Sequence, residues 1–173
     1  VLYNLMVFFS VRDRVYLYYV VYAATFGVYL LAFDGLAFQY LWPESVWWAN
    51  HGLPTALALA LALGALFATT FLDIRRNAPR AWRPMQAISL AGATLAFLAA
   101  SGWLLSPGVI LPALSVLGFA AAAFAIYAAV RAVVAGFRPA QFFLLAWGAL
   151  LVFIVLATMR NFALVPTTFV TVH

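Results

Sequence analysis

The chain has 173 residues, of which 68% are hydrophobic, 17% aromatic and only 8% charged. That is far more apolar surface than a soluble domain of this length can bury, so lipid is the solvent the composition calls for. The net charge of +5 comes from nine arginines against four acids, with no lysine. Its placement beside long apolar runs argues for a membrane orientation signal rather than nucleic-acid binding.

Charge-free runs cover 15–33, 45–72, 84–130 and 139–159, each about as long as a bilayer is thick or longer. Unpaired backbone in hydrocarbon costs several kcal/mol per group, and a barrel would need alternating segments of about ten residues, so these runs read as helices. The expected fold is all-α, a polytopic transmembrane bundle. The absence of cysteine excludes disulfides and thiol chemistry within this chain.

Taken in order, 1–11 is apolar but half a span long, and it reads as the tail of a helix whose start is missing. Arg12, Asp13 and Arg14 make a charged turn before a second helix at 15–33. The stretch 35–54, with Glu44, Trp47, Trp48, Asn50 and His51, intervenes before a third helix at 55–72. Part of that helix alternates alanine and leucine with a period of two, but both are strong helix formers and neither is polar, so the helix assignment stands. Asp73, Arg75, Arg76, Arg80 and Arg83 form a second charged loop, in which Pro79 stops one helix and Pro84 permits the next. The run 84–130 is too long for one span, and Ser106-Pro107-Gly108 divides it into helices at 85–105 and 109–130. Arg131 to Arg138 make a third charged loop with Gly136 as a breaker, followed by a sixth helix at 139–159 and a polar tail.

Eight of the nine arginines fall in three alternate loops, and Arg160 alone lies on the other side. By the positive-inside rule those three loops are cytoplasmic and 35–54 faces outward. The tail then ends outside, which predicts a seventh helix after His173 and a chain truncated at both ends.

The centres of the spans carry no ionisable residue, and such residues are the usual functional markers inside membranes. This argues against a proton relay, an ion-coupled transporter or an intramembrane acid protease. His51 and His173 lack partner spacing for zinc or haem, and no nucleophile or phosphate-loop motif occurs. No enzyme activity, metal or cofactor is expected. Small residues at four-residue spacing, Ala60, Gly64 and Ala68 and then Gly92, Ala96 and Ala100, favour close helix packing. Tyr22 and Tyr29 share a deep face of the second helix; interhelical hydrogen bonds and an interior cavity are the two readings of that pair.

The outer stretch also has two readings. Its tryptophans suit an interfacial collar, in which the ring sits among headgroups and the N–H stays wet. Glu44, Trp47, Trp48, Asn50 and His51, with Arg160 and Asn161 converging on the same face, make it the candidate ligand site. Arg12, Asp13, Arg14, Asp73, Arg75, Arg76 and Arg138 are the candidate relay residues on the cytoplasmic side.

Leu2-Tyr-Asn-Leu-Met-Val-Phe-Phe-Ser-Val-Arg-Asp-Arg-Val-Tyr-Leu-Tyr-Tyr19 and Gly35-Leu-Ala-Phe-Gln-Tyr-Leu-Trp-Pro43 resemble the membrane domain of bacterial seven-transmembrane receptors with diverse intracellular signalling modules. Phe71-Leu-Asp73, Gly136-Phe-Arg-Pro-Ala140, Leu145-Ala-Trp147 and Arg160-Asn161 fit the same pattern, so the resemblance spans the chain. It implies a sensor in the bacterial cytoplasmic membrane, six of whose seven helices are represented here, the first in part. It also implies an extracytoplasmic ligand domain, an output module such as a histidine kinase or diguanylate cyclase, and homodimerisation. A carrier or channel subunit for a neutral solute is the alternative; it calls for broken helices or internal repeats near the midplane, for which Gly64 and Gly92 are the candidate breaks. A structural anchor for partner proteins is the third reading.

Overall fold

In lipid, burial of apolar side chains gives helices little reason to associate, so close backbone approach has to hold the bundle together. The computed structural model of the chain describes residues 2–102 and 107–149. In order it contains α1 (Leu2–Val11), α2 (Arg14–Phe33), α3 (Leu36–Tyr40), α4 (Val46–Phe71), α5 (Ile74–Asn77), α6 (Pro79–Ser101) and α7 (Pro107–Val134). A further helical stretch covers 139–149, and no strand occurs among the described residues. Four helices are long and apolar enough to cross a bilayer: α2, α4, α6 and Val109–Val134 within α7. The later part of the expected sixth span, with Arg160, Asn161 and His173, lies outside the described residues.

α4 is the central helix. It packs against α2, α6 and α7, with its most extensive contact on α6, while α1 touches only α2 to any extent. Half of its apolar stretch is buried, against 6% for α2. The alanine-leucine alternation explains how one helix serves several neighbours. Two residues turn an α-helix by about 200°, so a period of two places small residues on opposed faces. Ala58 and Ala62 turn toward α6, where a Cβ added to Gly92 would lie 3.0 Å from the Ala62 nitrogen and 3.1 Å from the Ala58 oxygen. Ala60 and Gly64 turn the other way, and a Cβ on Gly64 would stand 3.1 Å from the ring of Tyr22 on α2. The buried Ser89 hydroxyl of α6 donates to the Ala62 carbonyl at 3.1 Å, a polar tie across the same interface.

Several helix ends differ from the sequence expectation. α4 starts at Val46, not near residue 55, because Ser45 caps it: its Oγ accepts from the Trp48 N–H at 3.4 Å. Pro54 therefore lies inside the helix, which membrane helices tolerate. Trp47, Trp48, Asn50 and His51 are thus helical, and the outer stretch is α3, a short turn and the first turns of α4. α6 starts at Pro79, whose fixed φ suits the first helical position, so Arg80 and Arg83 are on the helix and not in a loop. It ends before residue 105, at Gly102, whose left-handed φ of 66° closes the helix. Pro107 and Gly108 open α7 rather than forming the turn, and α7 extends to Val134, so Arg131 is helical as well. Neither Gly64 nor Gly92 breaks a helix; both are points of close packing.

Candidate functional site

The helices carry chemistry at their two ends and a cavity between them. At the tryptophan-bearing end, the four-residue spacing of Trp47 and His51 places them on one face of α4, and their rings stack 4.6 Å apart at 19°. The His51 Nδ1 lies 2.8 Å from the Trp47 carbonyl oxygen. A carbonyl can only accept, so Nδ1 donates and Nε2 is the nitrogen that faces outward from the helix. Gly102 sits against that edge: a Cβ there would lie 3.2 Å from His51 Nε2 and 3.2 Å from Trp47 Nε1. The C-terminal end of α6 is thereby seated on the first turns of α4. Trp48 meets Trp47 edge-on with centroids 5.0 Å apart, and Trp42 lies over Gly52, whose added Cβ would be 3.0 Å from the indole.

Trp47, Trp48 and His51 are therefore gathered into one cluster, with Trp42 and Gly102 as members that sequence spacing did not identify. The other expected residues are not joined to it among the described contacts. Asn50 turns back on its own helix, donating from Nδ2 to the Val46 carbonyl at 3.1 Å. Glu44 is exposed in the turn before Ser45. Arg160 and Asn161 lie outside the described residues.

Gly102→Ala is expected to destabilise the protein by about 1–2 kcal/mol, the cost of a left-handed backbone for a residue with a Cβ. The close approach to Trp47 and His51 adds to this. A thermal melt in detergent with an unchanged midpoint would show that the two helix ends are not in contact.

Midway along the helices lies a cavity of about 110 Å³. Small residues of α4 and α7, including Gly64, Gly118 and Ala122, leave the space, and Tyr22, Phe67 and Trp147 wall it. Tyr22 lies parallel to Phe67 at 6.2 Å, and rings continue through Phe71 and Phe143 to Trp147. No hydrogen bond among the described residues uses the hydroxyl of Tyr22 or Tyr29. Tyr22 lines the cavity, in keeping with the cavity reading of this pair, while Tyr29 packs along its own helix against Phe26 and Phe33.

At the arginine-bearing end, Asp13 caps α2, its Oδ1 accepting from the Val15 N–H at 3.0 Å, and Arg12 before it is left-handed at φ 57°. Asp73 has φ 43°, a conformation that aspartate tolerates better than most residues. The Arg75 guanidinium stands 5.8 Å from the centroid of Trp82. Arg138 precedes the 139–149 helix, and its carbonyl accepts from Gln141. Arg12, Asp13, Arg14, Asp73, Arg75, Arg76 and Arg138 are all exposed. They lie in the short links after α1, α4 and α7 or at the helix starts beside them.

Long apolar helices that expose large side chains such as Phe97, Val116 and Phe119, with charges confined to the links and helix ends, define a multi-pass α-helical membrane protein. The family described as 7TM diverse intracellular signalling matches residues 1–173, and the chain belongs to it. Membership makes it a transmembrane sensor module, associated with intracellular signalling domains, of a kind that is not typically enzymatic. No curated protein and no solved structure matches the chain.

Proposed function

We propose that the chain relays an extracytoplasmic signal across the bacterial cytoplasmic membrane to an output domain such as a histidine kinase or diguanylate cyclase. The arginine-bearing links face the cytoplasm in this reading, supported by the concentration of arginine on alternate links. The observation that carries it is α4 itself. This single helix runs from the Trp47–His51 cluster to the Asp73 link and packs on α2, α6 and α7 on the way. Backbone-close contact with α6 on one face, and contact with the Tyr22 ring of α2 on the other, let it act as a lever: a displacement at the tryptophan end is carried to the other end and to its neighbours.

A ligand or an adjoining domain that favours one packing over the other supplies the bias, which needs only a differential affinity of a few kcal/mol. Trp47, Trp48 and His51 receive it, with Glu44, Asn50, Arg160 and Asn161 as further contacts. Arg12, Asp13, Arg14, Asp73, Arg75, Arg76 and Arg138 hand it on. The output domain works as a dimer in this scheme.

Replacing Trp47, Trp48 and His51 together by alanine in the full-length protein tests the reading. The expected result is a loss of about fivefold or more in stimulated output, at the low end of ordinary coupling, with unchanged membrane level. An unaltered response at normal expression removes the cluster from the signal path.

A further inference from the structure

A second cavity, of about 320 Å³, lies at the arginine-bearing end, between the start of α2, the last turns of α4 and the start of α6. Tyr18, Leu66, Asp73, Arg75, Trp82 and Gln86 line it. Thr69 and Thr70 also border it, but their hydroxyls donate to the Ala65 and Leu66 carbonyls of their own helix, at 2.7 and 2.9 Å. The distinctive feature is a pair of opposite charges that the fold leaves apart. Asp73 makes no side-chain cap bond to the helix it precedes. Among the described residues no ion pair joins it to Arg75, although only one residue separates them in sequence. Asp73 is left-handed at φ 43° just before α5, whose first turn carries Arg75. Among the described residues Arg75 lies over the face of Trp82, and a guanidinium over an indole keeps its N–H edge available to an anion.

The cavity sits where a headgroup would be. Tyr18 is one turn into α2 and Thr70 is in the last turn of α4, so the site straddles the boundary between apolar helix and charged link. Its rim offers one cation and one anion, and its wall offers the aromatic rings of Tyr18 and Trp82 and the Leu66 side chain. A purely anionic headgroup would meet the Asp73 carboxylate, and a simple cation would meet Arg75. A molecule with a phosphate and an ammonium a few bonds apart, on an apolar tail, satisfies both. We propose that this cavity seats a zwitterionic phospholipid of the phosphatidylethanolamine type, with its phosphate on Arg75 and its ammonium on Asp73. The lipid then joins the α4–α6 link to α2 and makes the packing at this end sensitive to bilayer composition.

Lipid competition tests it. The full-length protein is placed in nanodiscs of equal parts phosphatidylethanolamine, phosphatidylcholine and phosphatidylglycerol, extracted, and analysed by native mass spectrometry for retained lipid. Phosphatidylethanolamine is expected to be retained about fivefold over each competitor, the upper range for a partly exposed ion pair. Phosphatidylcholine keeps the charge but cannot donate a hydrogen bond to Asp73, and phosphatidylglycerol lacks the cation. Asp73→Asn, which is isosteric and tolerates the same backbone, abolishes that preference, and Arg75→Gln lowers retention of all three. Equal retention of the three lipids by the wild type, or a preference for phosphatidylglycerol, overturns the proposal without recourse to any variant. Displacement of the lipid by excess soluble O-phosphoethanolamine at unchanged thermal stability overturns a membrane lipid as the occupant.

Discussion

Gly92→Leu is expected to unfold the bundle under conditions in which the wild type is intact. A Cβ at position 92 would stand 3.0 Å from the Ala62 nitrogen, 3.1 Å from the Ala58 oxygen and 3.1 Å from the Ala62 Cβ. Two of these are backbone atoms of α4, which cannot rotate away as a side chain can. Alanine at 92 already forces α4 and α6 apart at a cost of about 1–3 kcal/mol, the usual range for overpacking. Leucine adds three more heavy atoms at the same place, and the loss then approaches the ~5–15 kcal/mol that holds a typical domain together. The Ser89–Ala62 hydrogen bond, one turn away, goes with it, adding about 0.6 kcal/mol. Gly64→Ala is the internal control. Its nearest neighbour is the ring of Tyr22 at 3.1 Å, beside a cavity into which that ring can shift, so the cost falls below about 1 kcal/mol. Thermal unfolding of the three variants in one detergent gives the order wild type, Gly64→Ala, Gly92→Ala, with Gly92→Leu failing to assemble. A Gly92→Leu protein as stable as the wild type would mean that α4 and α6 are not in backbone contact.

The same interface shows which features can be read along a chain and which cannot. The class of protein and the existence of each long helix are legible because they depend on summed apolar length, and 15–33 coincides with α2 to within a residue. Helix ends are less so, because they turn on single residues whose signals compete. Pro54 reads as the end of the outer stretch, with the helix starting at 55, whereas the Ser45 cap starts α4 at Val46: the cap supplies one hydrogen bond and a proline inside a membrane helix forfeits one. Gly102 was a stop signal obscured by the apolar Trp103-Leu-Leu105 that follows it. The alanine-leucine repeat hides its meaning for a different reason. Its period matches no single helical face, and only with neighbours on both sides does an arrangement of two small faces become useful. In the candidate site, the Trp47–His51 pair is legible from its four-residue spacing. The approaches of Trp42 to Gly52 and of Gly102 to Trp47 are tertiary, and no local pattern announces them.

Ile74→Ala is expected to cost about 2–5 kcal/mol, as large as a core truncation in a soluble protein. Ile74 and its neighbour Leu72 are fully buried, although both lie in the link beyond the last turn of α4. They pack in one cluster with Ala78, Ala81 and Met85 of the α6 side, Ala128, Ala129 and Ala132 of α7, and Ala140 at the start of the last described helix. Position governs the magnitude. Within the hydrocarbon an exposed apolar group loses little by facing lipid, so truncating Phe119, 79% exposed on α7, should barely alter stability. At the arginine-bearing end the alternative to burial is water, and the transfer term returns at its full value. The cluster is rich in alanines, which cannot extend into the space that Ile74→Ala leaves, so relaxation falls to its few larger members such as Leu72 and Met85. The variant should therefore unfold locally before it unfolds globally, exposing the link at Arg75 and Arg76 to trypsin while α4 and α6 stay assembled. Thermal midpoints for Ile74→Ala and Phe119→Ala, with the rate of tryptic cleavage in the link, check both parts. Equal midpoints, or an Ile74→Ala link as resistant as the wild type, would show that this end of the bundle is held by its arginines and lipid headgroups rather than by a packed core.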